Sequence, residues 1–481
     1  MWSVDKNVEA CHQSNHIFDS SSLRINYLIK VRYLFGISSL LTKHPNRSFL
    51  ASAGTGHALP KKIMSAASQV IIPDYLNEDL IKKSLVSEYR NGNLVVEKFE
   101  ISPATSSGDN YMSDVFRIHI KFRTLPNASK LEQLSLVVKC LPDAGQRGPV
   151  IEELIVYEKE AEMFLNVIPQ LSKIANNEFF AAKCFYATRV PERMLVFHDL
   201  KSLNYTMANR HAGLDFDHCA LIMKKIGKFH AASMTYAESN MDLMNKYFHF
   251  NMFNPAVEQK TDCINVIFEK GLETLIDVAE NSWDDFDPTI VAKLKKLLPV
   301  YVTKLEACLT QKFTDGFKVL NHGDLWCNNM LFKYSPRTGK VDDVVFVDYQ
   351  ICYYSSPGLD INYAIANCPN LETRDRTEEL VGIYYQSLSE TLKAIGYPRI
   401  PTMADVQLEI ERMEFFALVS IVSILPIVTM EKTDSFDPSF ETLMDGEEGD
   451  KSRRIQYSGK LYQSIVKPML RRFDEKKLLD V

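Results

Sequence analysis

Three side chains in one short stretch, Asp324, Asn329 and Asp348, have the types and the spacing to handle a metal ion and a proton together. The first two lie in His322-Gly323-Asp324-Leu325-Trp326-Cys327-Asn328-Asn329, an H-x-D-x4-N pattern. That is the spacing of a phosphoryl-transfer loop, in which the Asp takes or orients the proton of an attacking hydroxyl and the Asn offers an amide oxygen to Mg²⁺. An apolar run from Met330 to Phe332, a Ser335-Pro336-Arg337-Thr338-Gly339 turn and the run Val344-Val345-Phe346-Val347 read as a hairpin. The hairpin returns Asp348 to the loop as a second Mg²⁺ ligand. Two such oxygens plus substrate phosphates suffice for Mg²⁺ without a closed protein cage. Singly, each residue is an ordinary turn cap or strand end; four fixed types at fixed offsets are far rarer by chance.

Further elements must position these groups. Upstream, Leu76, Leu80, Ile81 and Leu85 mark a helix, and Leu94–Ile101, Asp114–Phe122 and Leu134–Leu141 read as strands of an antiparallel sheet. The loop between the first two strands, Ser106 to Ser113, offers backbone N–H groups with Asn110 and Ser113 side chains to nucleotide phosphates, though it holds a single glycine, Gly108. Lys139 closes an otherwise apolar strand, and a buried ammonium needs a partner. The helix read over Ile151–Val167 supplies Glu158, Glu160 and Glu162 as candidates. Strands at Ala182–Thr188 and Met194–Phe197 lead to a hinge at Phe197-His198-Asp199-Leu200. Beyond it Asp217 is read as a helix cap and His230 as a satisfied core histidine, and Pro288–Leu309, Thr373–Ile395, Met403–Met430 and Lys451–Phe473 read as helices. Lys432 to Asp450 is acidic and turn-rich, and reads as a surface loop.

At 481 residues the chain exceeds one ordinary core, so two lobes and an appendage are expected. A composition of 46% apolar and 24% charged residues excludes wholesale disorder, and a net charge of −6 argues against nucleic acid as a partner. Nine cysteines without a C-x-x-C pair point to a reducing, cytoplasmic setting. The longest apolar run, Phe415 to Met430, is 16 residues with Pro426 inside, which suits a buried helix better than a transmembrane segment of about 20. Residues 1–69 carry no acidic residue from Ser20 onward and read as a poorly ordered N-terminal extension.

These motifs resemble the ecdysteroid-kinase-like (CHK-kinase-like) family, related to choline kinases and aminoglycoside phosphotransferases, over about residues 70 to 475. The resemblance rests on Gly108-Asp109-Asn110-Tyr111-Met112-Ser113, Val138-Lys139, Tyr157-Glu158-Lys159-Glu160, Phe229-His230-Ala231-Ala232-Ser233, the Trp326-containing loop, Val347-Asp348-Tyr349-Gln350 and Leu359-Asp360-Ile361-Asn362-Tyr363. It implies an α+β, bilobal protein-kinase-like fold, with a small antiparallel-sheet N-lobe at 70–198 and a mostly helical C-lobe at 199–481. It also implies Asp324 as base, Asn329 and Asp348 as Mg²⁺ ligands, a Lys139–Glu160 pair, and Asp360 steadying the loop. Tyr349 stands where Phe is commoner. The expectation is an ATP- and Mg²⁺-dependent kinase acting on a hydroxyl of a small, lipophilic, steroid-like alcohol. Its rivals are a choline or ethanolamine kinase, for which Tyr353, Tyr354 and Tyr363 are candidate cage residues, and a catalytically silent ligand-binding protein. A protein kinase would need a G-x-G-x-x-G loop and an A-P-E segment, and the chain has neither.

Overall fold

Five strands, β1 (Val95–Pro103), β2 (Asp114–Arg123), β3 (Glu132–Leu141), β4 (Cys184–Thr188) and β5 (Arg193–His198), form an antiparallel sheet in the order β1-β2-β3-β5-β4. The computed structural model describes residues 72–104, 113–142, 147–249, 265–311, 315–430 and 446–481. The readings at residues 1–69, at Gly108 and Asn110, and over most of Lys432–Asp450 lie outside the described residues; Asp450 itself is helical.

Alternation decides the sheet's faces. Phe116, Ile118, Ile120 and Phe122 of β2 are buried against Leu80, Ile81 and Leu85 of helix α1 (Glu78–Tyr89). Asn77 caps that helix, accepting from the N–H groups of Asp79 and Leu80. Register puts Val115 opposite Lys139, Arg117 opposite Val137 and Val137 opposite Phe197, so these side chains share the other face.

The helix read over Ile151–Val167 is broken. α2 (Arg147–Glu153) stops, Ile155 takes a left-handed φ of 46°, and α3 (Val156–Glu162) continues through a π-turn at Met163–Val167 into α4 (Ile168–Ile174). Neither Gly nor Pro stands at the break, so the local sequence carries no sign of it.

After β5 a 3-10 turn, Leu200–Leu203, leads to β6 (Tyr205–Met207) and the helical lobe. Its central helix α5 (Phe216–Ser239) is capped by Asp215, which accepts from the His218 N–H; Asp217 lies in the first turn and is not the cap. β7 (Val319–Asn321) pairs with β10 (Tyr353–Ser355), and β8 (Met330–Tyr334) with β9 (Val341–Phe346) forms the expected hairpin, flanked by β6. α6 (Gly358–Asn367) follows, and α7 (Thr377–Ile395) crosses α5 at Gly227, where a Cβ would stand 2.8 Å from the Tyr384 carbonyl oxygen. The Phe415–Met430 run splits into Glu414–Ser423 and Leu425–Thr429, with Leu418, Ile421 and Val422 fully buried. Among the described residues no helix is long and apolar enough to cross a membrane.

Gly358 fixes where α6 starts. A Cβ there would lie 2.0 Å from the Glu409 carbonyl oxygen, a backbone atom that cannot swing aside. Gly358→Ala is therefore expected to cost about 1–3 kcal/mol or more through overpacking, read as a lower urea midpoint with an unchanged m-value.

Candidate active site

His322 leaves β7 directly, and Gly323 then turns the chain with φ +87°, where a Cβ would meet the Ile351 carbonyl oxygen at 2.4 Å. Only glycine combines that φ with so close an approach. Asp324 follows, and a 3-10 turn, Cys327–Asn329, brings Asn329 back: its amide N–H₂ donates to the Asp324 side-chain Oδ2 at 2.8 Å and to the Asp324 carbonyl at 3.0 Å. Asp324's other oxygen, Oδ1, accepts from the Tyr363 hydroxyl at 2.5 Å.

The β8–β9 hairpin delivers Asp348, which adopts a left-handed φ of 67°, a conformation Asp tolerates better than most residues. Lys139 reaches across from β3 to both sides: its Nζ lies 2.8 and 2.7 Å from the two Glu160 oxygens and 2.5 Å from Asp348 Oδ1. Burial works against the Lys139 ammonium, but Asp348 and Glu160 outweigh it and lift its pKa above the ordinary lysine value. The same burial pushes the Glu160 carboxyl upward, against the pull of Lys139. Of the three candidate glutamates, Glu160 faces Lys139; Glu158 pairs with Arg189, and Glu162 accepts from Asn166 at 2.9 Å.

The loop is held from α6. Asp360, fully buried, accepts the His322 N–H at 2.7 Å and the Gly323 N–H at 2.9 Å, and its Oδ2 also meets His230 Nε2 at 3.1 Å. The Tyr384 hydroxyl lies 2.9 Å from His230 Nδ1. Burial lowers the pKa of both His230 and His322, so each is a neutral imidazole at physiological pH. For His322 the neighbours fix the tautomer: the Asp324 N–H donates to Nδ1 at 3.3 Å, and Nε2 carries the hydrogen to the Val347 carbonyl at 3.0 Å.

Between sheet and loop lies a cleft of about 350 Å³. Val115, Val137, Phe197, Leu331 and Val347 make it apolar, while Lys139, Glu160, Asn329 and Asp348 stand together on its wall. At the hinge Asp199 accepts from Arg117 at 2.8 Å, Ser135 at 2.7 Å and the Lys201 N–H at 3.0 Å. Burial opposes its charge, yet these donors hold its carboxyl below the usual range.

Of the residues singled out in the sequence, Lys139, Glu160, Asn329 and Asp348 line one cleft, and Asp324 joins them through its bond to Asn329. Ser113 is buried just before β2, and Gly108 and Asn110 lie outside the described residues. The three tyrosines read as a cage do not form one. Tyr353 donates to the Leu309 carbonyl, Tyr354 lines a separate cleft with Tyr397 and Arg399, and Tyr363 is bonded to Asp324. The Tyr363–Asp324 and Lys139–Asp348 contacts had no signal in the sequence, because each joins residues far apart in the chain.

A small antiparallel sheet over a helical lobe, with a buried Lys–Glu pair facing an Asp-bearing loop, is the bilobal kinase-like architecture of small-molecule phosphotransferases. A model of the ecdysteroid kinase-like family matches residues 107–397, and the chain belongs to that family. A 97-residue stretch is 25% identical to the 4-hydroxytryptamine kinase of Psilocybe cyanescens, covering 19% of this chain and 26% of that protein. Among solved structures, APH(2'')-IIa in its ternary complex with streptomycin and ATP aligns at 13% identity over 72% of this chain and 99% of its own, with a TM-score of 0.35. The aminoglycoside phosphotransferase APH(2'')-Ib with ADP aligns at 12% identity over 68% of this chain and 95% of its own, with a TM-score of 0.30.

Proposed function

We propose that the protein is an ATP-dependent kinase that phosphorylates a hydroxyl of a small, lipophilic, steroid-like alcohol. The observation that carries this reading is the convergence of Lys139, Glu160, Asp348 and Asn329 on one cleft, with Asp324 tied to Asn329 by a side-chain hydrogen bond. A silent binding protein has no need to bury so costly a set of charges. The steroid-like acceptor is suggested by the family. The proposed compartment is the cytoplasm, consistent with the free thiols of the described cysteines.

Asp324 is the proposed base. Burial raises its pKa to about 6, against the pull of the Tyr363 bond, so it is ionised at neutral pH yet close enough to it to accept a proton. Lys139, held by Glu160, orients the nucleotide phosphates, and the apolar cleft takes the base. The donor set fits Mg²⁺: with the Asn329 N–H₂ turned to Asp324, its amide oxygen is left for a cation, and Asp348 keeps one oxygen beyond the one bonded to Lys139. Among the described residues no group of three or more His, Cys, Asp or Glu forms a closed cage, consistent with an ion that takes the rest of its ligands from phosphates and water. When bound, Mg²⁺ offsets the phosphate charge. Asp324 then orients the acceptor hydroxyl for in-line attack, and most of the acceleration comes from positioning and charge.

Lys139→Met tests the nucleotide half of this reading. It strips the cation from two carboxylates and is expected to raise the Kd for MgATP at least about tenfold, by losing a charge-assisted contact of about 1.5–3 kcal/mol. Equilibrium binding of a fluorescent ATP analogue reads this directly. Unchanged affinity in a folded Lys139→Met protein would remove Lys139 from the site.

A further inference from the structure

Each oxygen of the Asp324 carboxylate already carries a donor, and the two donors differ in kind. Oδ2 takes the Asn329 amide, an intraloop bond that sets the loop's shape. Oδ1 takes a hydroxyl, the phenol of Tyr363 at 2.5 Å, from a different element. A hydroxyl on an apolar ring is the same kind of donor that an acceptor alcohol would present to this carboxylate.

The phenol is firmly mounted. Tyr363 is 4% exposed, its ring lies against Phe416 at an interplanar angle of 26°, and it stands one turn beyond Asp360 on α6. Asp360 already clamps the loop through the His322 and Gly323 N–H groups, so the loop's position does not require a third tie at the reacting oxygen itself. An uncovered carboxylate beside the terminal phosphate of ATP would face water at every turnover without acceptor, and excluding that side reaction is a recurrent task of such sites.

We infer that Tyr363 guards Asp324: its phenol occupies the oxygen that the acceptor hydroxyl will claim, and so keeps the carboxylate from activating water until the alcohol arrives. The inference rests on the phosphotransferase reading above. The reaction held in check is balanced by ATP and water alone. A water oxygen attacks the γ-phosphorus, the bond from that phosphorus to the ADP oxygen breaks, and the water's proton passes to Asp324, giving ADP and inorganic phosphate. Tyr363 is a positioning residue here and touches neither substrate.

The test uses the full-length protein with MgATP and no alcohol, and measures inorganic phosphate release. Tyr363→Phe keeps the ring and its stacking on Phe416 and removes only the hydroxyl. The expected result is an increase in phosphate release of about tenfold, within the range a positioned base contributes; adding Asp324→Asn should return the rate to background. A purely structural role would lower activity or leave it unchanged. Phosphate release equal to wild type, with MgATP binding intact, overturns the inference and leaves the phosphotransferase reading standing. Failure of the wild type itself to bind MgATP removes both. Should Tyr363→Phe not fold, Phe416→Leu loosens the backing of the ring while keeping the hydroxyl; a smaller increase supports the guard, and none overturns it.

Discussion

The Asp324→Asn protein is expected to be more stable than wild type at neutral pH while transferring phosphate at least about 10²-fold more slowly, the lower end of what a positioned base contributes. The two effects share one cause. Burial raises the Asp324 pKa to about 6 from an ordinary 3.8, so its ionised form is disfavoured in the folded protein. A folded value above the unfolded one means that Asp324's contribution to stability is full below about pH 4 and is lost as pH rises through about 6. At about 1.4 kcal/mol per unit the loss is at most about 3 kcal/mol, and partial solvent contact reduces it to about 1–2. Asn carries no charge and can keep both bonds, its oxygen accepting from Asn329 and its N–H₂ donating to the Tyr363 oxygen. Chemical denaturation at pH 7 and pH 4 reads the outcome: a gain over wild type at pH 7 that vanishes at pH 4. In the wild type, turnover should fall as pH drops through about 6 and Asp324 takes up its proton. No stability difference at either pH would mean that the Asp324 charge costs the fold nothing.

Asp360→Ala is expected to do the greatest structural harm of any single change at the site. Three donors, the His322 and Gly323 N–H groups and His230 Nε2, lose their acceptor inside the protein. Unsatisfied buried donors cost about 1–3 kcal/mol each before relaxation, so a net loss of about 3–5 kcal/mol is expected. The loop that carries Asp324 and Asn329 would be released with it. Turnover should therefore collapse while MgATP affinity, which depends on Lys139 and the apolar cleft across the site, changes little. A urea midpoint within error of wild type would show that Asp360 is not the loop's anchor.

The parts of this protein that were legible in sequence are those where chemistry and local geometry coincide. His322 to Asn329 and the hairpin to Asp348 are one continuous stretch, and the alternation of Phe116, Ile118, Ile120 and Phe122 marks a half-buried strand without reference to anything distant. His230 could be read as a core histidine because it closes an apolar stripe, and it is fully buried. What was hidden depends on tertiary neighbours. The break at Ile155 has no Gly or Pro to mark it. The cap of α5 falls at Asp215 and not Asp217 because both residues can cap and only the chain's path into the helix chooses between them. The tyrosines near Asp348 shared a composition that suggested a cage, yet Tyr353 on its strand and Tyr363 on α6 find separate partners. The Tyr363 bond spans two elements, and no spacing rule connects them.

The most direct test is transfer of the γ-phosphoryl group from labelled MgATP to a panel of hydroxylated sterols, 4-hydroxytryptamine, choline, ethanolamine and sugars, with Asp324→Asn alongside. Phosphorylation of a sterol hydroxyl through Asp324 predicts label on a sterol with the wild type and none with the variant. Label that persists undiminished in Asp324→Asn, or a wild-type protein that neither binds MgATP nor labels any alcohol, would contradict it.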